Sequence, residues 1–444
     1  MIHNRDRLAR TAAHEVALEC IEAGIEAARP ARAMRAALER SGSELRIEDT
    51  TLDLDAYDEI AVLGGGKAAA GMARVVEESL GDRLDEGVVV TNDPAETERI
   101  RVVEGSHPTP DEAGMEGARE ELALAERASE DTLVLCVLSG GGSALLPAPV
   151  EGVGLGELQS LTEALLASGA TIEEINAVRK HLSALKGGRL ATTAAPATVV
   201  GLLVSDVVEN DLGTIASGPI VPDESTHGDA LTVLERYAID PAPAIRTHLD
   251  SGAAGEQPET PDGEHPAFGR TQVHVLADGF TALEAARSTA DDRGYTPVIL
   301  SSRVEGEARE AAKTHAAIAE EARATGNPAD SPVVFLSGGE TTVTMRGDGR
   351  GGPNQEFVLS GTLTIDSDGI VLASVDTDGS DGASDAAGAI ADRVTLDTGE
   401  RAREALADND AYSYLAGRGA VIETGPTGTN VNDLRVLVVD DSAR

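Results

Sequence analysis

The stretch Thr132-Leu-Val-Leu-Cys-Val-Leu-Ser-Gly-Gly-Gly-Ser143 decides the fold. Its uncharged, aliphatic first half reads as a strand buried on both faces. The glycines that follow end the strand and permit a tight turn into a helix. An earlier stretch repeats the pattern: Ile60-Ala-Val-Leu63, then Gly64-Gly-Gly-Lys67, then a helical pattern to about Leu80. Val88–Val90 and Arg101–Val103 read as short strands, residues 112–128 and 157–190 as mostly helical, and Val199–Ser205 as a strand ending beside Asp206. Strand, glycine-rich turn and helix in alternation imply a parallel sheet with helices on both faces. Such sheets bind ligands beyond the carboxyl ends of their strands, so the turns are where function is sought.

Residues 11–39 read as helix with a break at Pro30. Ser251–Pro266 has almost no apolar periodicity and reads as a boundary. Thr271–Leu276 restarts the strand pattern, and further strands are expected at 296–300, 332–336, 341–346, 370–375 and 433–439. A chain of 444 residues suits two α/β domains, drawn at 1–255 and 266–444.

Lys and Arg total 36 against 77 Asp and Glu, a net charge of −41. This excludes the basic footprint of a nucleic-acid binder and disfavours an anionic membrane surface. The acids are spread along the chain, as on the solvated surface of a halophilic protein, where a Debye length of about 3 Å at 1 M salt screens the repulsion. Hydrophobic residues are 41% and aromatics 2%, so the core must be built from Ala, Val, Leu and Ile. Cys20 and Cys136 lack CxxC spacing and read as reduced thiols in a cytoplasmic protein. Met1–Val16 holds no apolar block, and the least charged stretch, Leu190–Ser205, is too short to span a membrane.

Seven segments carry candidate chemistry. Gly64, Gly65 and Gly66 followed by Lys67 suit an anion at a helix N-terminus; a plain βα turn is the alternative. Gly64, Gly66 and Ala69 also fit a weak dinucleotide fingerprint, while Walker A spacing is missing. Ser139, Gly140, Gly141, Gly142 and Ser143 form a plausible anion nest, with Ser143 as a helix cap in the alternative. Arg179, Lys180, His181, Lys186 and Arg189 make a dense basic island; Arg179 and Lys186 fall near one helical face. Asp206 at a strand end suits a base or a magnesium ligand, or merely caps a helix. Gly338, Gly339 and Glu340, continuing to Asn354, Gln355 and Glu356, suit recognition of a polar ligand. Asp376, Asp378 and Asp381, with Asp206, could hold a cation, a turn being an equal reading. Thr424–Asn430 is a polar turn. Histidines are scattered without zinc spacing, and no Gly-x-Ser-x-Gly elbow is present.

At these residues the chain resembles the glycerate 2-kinases with a C-terminal MOFRL domain. The matching stretches are LGGGKA at 63–68, LSGGGSALLPAP at 138–149, NAVRKHLSALKGGRLA at 176–191, SDVVENDLGTIASGP at 205–219, SGGETTV at 337–343, NQE at 354–356, DTDGSDGASDAAGA at 376–389 and TGPTGTNVND at 424–433. The resemblance implies a larger Rossmann-like N-terminal domain, a smaller α/β MOFRL domain and an active site in the cleft between them. It implies ATP, Mg2+ and D-glycerate as partners, 2-phosphoglycerate as product, Lys67 as the charge-neutralising lysine and Asp206 as the catalytic acid. Pro353 stands where members often have Arg, with Arg350 a substitute three residues earlier. An NAD(P)-dependent hydroxypyruvate reductase is the alternative activity, a non-catalytic nucleotide sensor a third. Assembly into a homo-oligomer is left open.

Overall fold

The computed structural model describes residues 1–396 and 399–440. The chain separates into two compact units. The first comprises Ala33–Ser205 and Asn210–Leu276; the second comprises Met1–Arg32, Asp206–Glu209 and the chain from Ala277 onward.

The main sheet of the first unit has six strands: β1 (Glu59–Gly65), β2 (Glu86–Thr91), β3 (Ile100–Glu104), β4 (Thr132–Leu138), β5 (Thr198–Val204) and β6 (Thr271–Ala277). Their order across the sheet is β3-β2-β1-β4-β5-β6. Every pairing among β1 to β5 is parallel. This is the doubly wound order, and its direction of growth reverses between β1 and β4, the place where such sheets take ligands. Gly65 is opposite Leu138 in register, so the glycine turns after β1 and β4 are neighbours. All seven residues of β4 are buried, as their uninterrupted apolar run requires. The helices expected after β1 and before β4 are Ala69–Leu80 and Glu112–Arg127; the Asp111 carboxylate caps the latter by accepting from the Gly114 amide at 2.8 Å. The stretch 157–190 divides into the helices Leu155–Ser168 and Ile172–His181, a run of turns, and the start of Arg189–Ala194.

The second unit holds β7 (Thr296–Ser301), β8 (Val333–Gly339), β9 (Ile370–Asp376), β10 (Gly388–Asp392), β11 (Val421–Ile422) and β12 (Asp433–Val439), in the order β7-β8-β12-β9-β10-β11. Within this six-stranded sheet only β7 and β8 pair in parallel; the last strand, β12, lies antiparallel between β8 and β9. Alternate residues face opposite layers. Val333, Phe335, Leu372, Leu437 and Val439 pack into one core. Val334, Leu336, Val371, Val436 and Val438 pack into another with Val16, Leu18, Ile21 and Ile25 of the helix Ala12–Ala27. Gly24 lets that helix approach, because a Cβ there would collide with Leu434.

Three features depart from the sequence reading. Residues 1–32 join the second unit because the apolar face of their helix completes its core. The edge of the compact units falls at 276/277, and the helix Pro243–Ala253 runs into the expected boundary at 251–266. The strand expected at 341–346 shrinks to Thr341–Thr342, which has only Gly306–Glu307 to pair with. Cys20 and Cys136 are buried free thiols. No described helix is long and apolar enough to cross a membrane.

Candidate active site

The turn after β1 is held by its own protein. The amide of Gly66 donates to Val90 O at 3.0 Å, that of Lys67 to Gly140 O at 2.8 Å, and that of Ala68 to Ser139 Oγ at 3.0 Å. Gly64 and Gly66 have φ of +133° and +138°, and a Cβ at either would collide with Val137 or Ser139 on the adjacent strand. These glycines let two strand ends pack closely, and their turn offers no amide cradle. What it presents is the exposed side chain of Lys67.

The turn after β4 differs. The Ser139 amide donates to Gly65 O and that of Gly142 to Ser139 O, at 3.2 and 3.3 Å. The amides of Gly140, Gly141 and Ser143 have no protein acceptor among the described residues. Ser143 does not cap the helix Gly142–Leu145; the cap position is Gly141, in the left-handed region. The Ser143 hydroxyl instead lies 2.7 Å from that of Ser217, which donates to Asn176 Oδ1 at 2.8 Å.

The basic island is divided by burial. Lys180 pairs with Asp223 at 2.9 Å, and Arg189 donates to the carbonyls of Lys180 and Ser183, so both are structural. Arg179, Ser143, Ser183 and Lys186 line a small cavity of about 20 Å³, room for roughly one water. Lys186 is 3% exposed, and its ammonium donates to the Leu146 carbonyl. Burial, and then the charge of Arg179, lower its pKa to about 7, with Glu121 opposing. Glu121 is fully buried, and burial holds its carboxyl well above the usual range. His107, between Lys67 and Arg179 in electrostatic reach, is lowered by dehydration and then by those two cations. Sequence reading missed His107 and Glu121; neither sits in a glycine turn or a charge cluster.

In the second unit, the polar triplet 354–356 is buried and hydrogen-bonded within the protein. Asn354 Nδ2 donates to Asp433 Oδ1 at 2.6 Å, Gln355 Nε2 to Ser384 Oγ at 2.7 Å, and Glu356 accepts from Arg309 and Asn409, each at 2.7 Å. Pro353 opens their helix at its first turn, where a missing N–H costs nothing. Arg350 pairs with Asp385 at 3.2 Å and lies over the Tyr412 ring at 4.6 Å. Gly338 and Gly339 finish β8, and Arg435, 0% exposed, donates to Gly338 O at 3.2 Å and pairs with Asp433. Asp433, which sequence reading passed over, is the hub of this network.

The four aspartates expected to hold a cation diverge in role. Asp381 accepts from the amides of Asn354 at 3.0 Å and Gln355 at 2.8 Å, so its oxygens are spent on a helix N-terminus. Asp376 is raised to about 8, by burial first and then by Asp378. Asp378 turns its carboxylate onto the amide of Ser380 at 2.8 Å. Asp206 is half-buried, and its carbonyl accepts from Asn432 Nδ2 at 2.7 Å. Glu340 is exposed but raised by partial dehydration, then by Asp433, Asp206 and Glu305. Burial is the first cause of the rise at Asp376, and it also lifts Asp381 to about 7; the two differ in that Asp381 already accepts two backbone amides. Among the described residues, only His181, His227 and Glu259 bring three ligand atoms within 4.8 Å of one another.

A doubly wound first unit with a lysine and open amides at its switch point, joined in one chain to a mixed-sheet unit, defines a two-part α/β protein. A model described as a domain of unknown function (DUF4147) matches residues 16–250, and the MOFRL family model matches residues 333–433. A D-glycerate 2-kinase of Thermotoga maritima is 41% identical over 96% of this chain and 98% of its own. A glycerate 2-kinase of Pyrococcus horikoshii is 39% identical over 96% and 97%. The crystal structure of a glycerate kinase from Thermotoga maritima superposes with a TM-score of 0.84 at 38% identity, covering 96% of this chain and 99% of that one. The chain belongs to the glycerate 2-kinase family.

Proposed function

We propose that this chain is a glycerate 2-kinase that transfers the γ-phosphoryl group of ATP to the 2-hydroxyl of D-glycerate. The observation that carries the reading is the strand-end site of the first unit: Lys67 exposed beside a turn whose Gly140, Gly141 and Ser143 amides lack acceptors among the described residues. Phosphoryl transfer asks the protein for positioning and charge neutralisation. The Lys67 ammonium balances charge on the transferring group, the open amides hold phosphate oxygens, and Arg179 adds a cation at the same turn. Asp206 orients the attacking hydroxyl. Asp376 and Asp206 are the residues that would hold Mg2+, which supplies charge neutralisation at the phosphates when bound. As functional domains we take 1–255 and 266–444, a division supported by the matches at 16–250 and 333–433.

Two Agrobacterium vitis proteins, provisionally named hydroxypyruvate reductase, are each 42% identical over 85% of this chain, which favours a second reading. Against it, the amides after β1 that would cradle a dinucleotide pyrophosphate are occupied by Val90, Gly140 and Ser139. One assay separates the two. ATP, D-glycerate and Mg2+ should release ADP and yield a product phosphorylated at carbon 2 by NMR. Oxidation of NADH with hydroxypyruvate and no ADP release would overturn the kinase reading.

The net charge of −41 supports a setting at high salt, and the two free thiols support a cytoplasmic one. Activity should persist in molar potassium chloride; its loss on adding salt would remove the halophilic reading.

A further inference from the structure

We propose that His181, His227 and Glu259 form a binding site for a transition-metal ion of the zinc type, separate from the phosphate-handling turns. The three come from distant parts of the first unit. His181 ends the helix Ile172–His181, His227 opens the helix His227–Arg236, and Glu259 lies in the loop after the helix Pro243–Ala253. Glu259 Oε2 lies 3.0 Å from His181 Nε2 and 2.7 Å from His227 Nδ1. The two rings stand 4.4 Å apart by their centroids. Two imidazoles and one carboxylate leave a fourth position open, a donor set that zinc accepts at bond lengths of about 2.0–2.2 Å.

Hydrogen positions narrow the choice. His181 Nδ1 is 2.7 Å from the Ala177 carbonyl, which can only accept, so the proton is on Nδ1. A neutral ring then aims a lone pair at a carboxylate 3.0 Å away. Only a positive charge between them removes the repulsion: a second proton or a metal ion. The Nδ1–carbonyl bond is also the outer support that fixes a metal-bound histidine.

The surroundings suit an ion. His227 is 0% exposed, and Nδ1 is the ring nitrogen that it turns to Glu259. Gly252 clears room for that ring, since a Cβ there would collide with it. Glu259 and His248 line an open cavity of about 690 Å³, which gives an ion a way in. The other charged or titratable groups around the cluster are Arg189 and His248, with Asp223 and Lys180 paired beyond them.

The test uses the full chain freed of metal by a chelator, in excess Mg2+ so that surface carboxylates are occupied. Zn2+ is titrated calorimetrically, and Co2+ is followed by visible absorption as a reporter of tetrahedral ligation. One ion per chain is expected, with tetrahedral Co2+ bands. Glu259→Gln and His227→Phe should each weaken binding by at least about 10-fold and remove the bands. Binding unchanged in a folded Glu259→Gln variant would overturn the site and leave an imidazolium as the occupant. That variant decides the matter even if His227→Phe does not fold, because the Glu259 side chain is 42% exposed. Neither readout involves kinase activity, so the result stands apart from the proposed function.

Discussion

The turn after β4 in the first unit and the network around Asp433 in the second are both polar, yet they are built on opposite terms. At the turn, three amides lack protein acceptors among the described residues and the lysine beside them is exposed. Around Asp433, the carboxylate receives Asn354, Thr341 and Arg435, and Arg435 is buried beneath it. The first arrangement leaves hydrogen-bonding capacity for a ligand. The second spends its capacity on holding β8, β9 and β12 in register. Motif spelling does not distinguish them, since glycine next to small polar residues marks both Ser139–Ser143 and Ser337–Gly339.

The largest effect expected from this contrast is on stability. Asp433→Ala strands the Arg435 charge in the core, and chemical denaturation should register a loss of about 3–5 kcal/mol. A loss below about 1 kcal/mol would mean that the network is not the scaffold described. Next, Lys67→Ala should leave the fold intact by circular dichroism and lower kcat/KM for glycerate phosphorylation by about a hundred- to a thousand-fold. Full activity in that variant would place the lysine outside the chemistry.

A smaller effect concerns pH. Asp376 is raised to about 8, so the folded chain holds a proton there that the unfolded chain has lost above its ordinary carboxyl range. Folded protein therefore binds more protons between roughly pH 4 and 8, and this group's contribution to stability falls as pH rises through that window. Asp376→Asn should remove the loss, gaining at least about 1.4 kcal/mol over wild type at pH 9 relative to pH 5, the equivalent of one pK unit. Identical pH profiles of thermal unfolding for the two proteins would refute it. Smallest of all, Ser143→Ala removes the bond to Ser217 and should cost about 1 kcal/mol while leaving the backbone amides in place. A large drop in activity with unchanged stability would show that the hydroxyl, and not only the amides, meets the ligand.

Much of the first unit was legible in the sequence. Apolar runs located β1, β2, β4 and β5, because a strand buried on both faces needs a largely apolar stretch. The second unit was less so. Its strands at 370–376 and 433–439 were found, yet β10 and β11 were not, since Gly388–Asp392 and Val421–Ile422 are too short to show a period. The candidate site was legible as a set of turns, and the structure places Lys67 and Gly140–Ser143 just after two neighbouring strands.

By itself, the sequence determined the doubly wound class, the acidic surface and the motifs that mark the family, because these depend on local composition and on short spacings. Only the tertiary structure decided which polar residues are free to act. It consumed the amides after β1, buried Asn354, Gln355 and Glu356, and committed Asp381 to a helix end. It also gathered His181, His227 and Glu259 from across 78 positions of chain. The physical reason is that a hydrogen bond or a ligand set is fixed by distance in space, and folding makes neighbours of residues that no spacing rule connects.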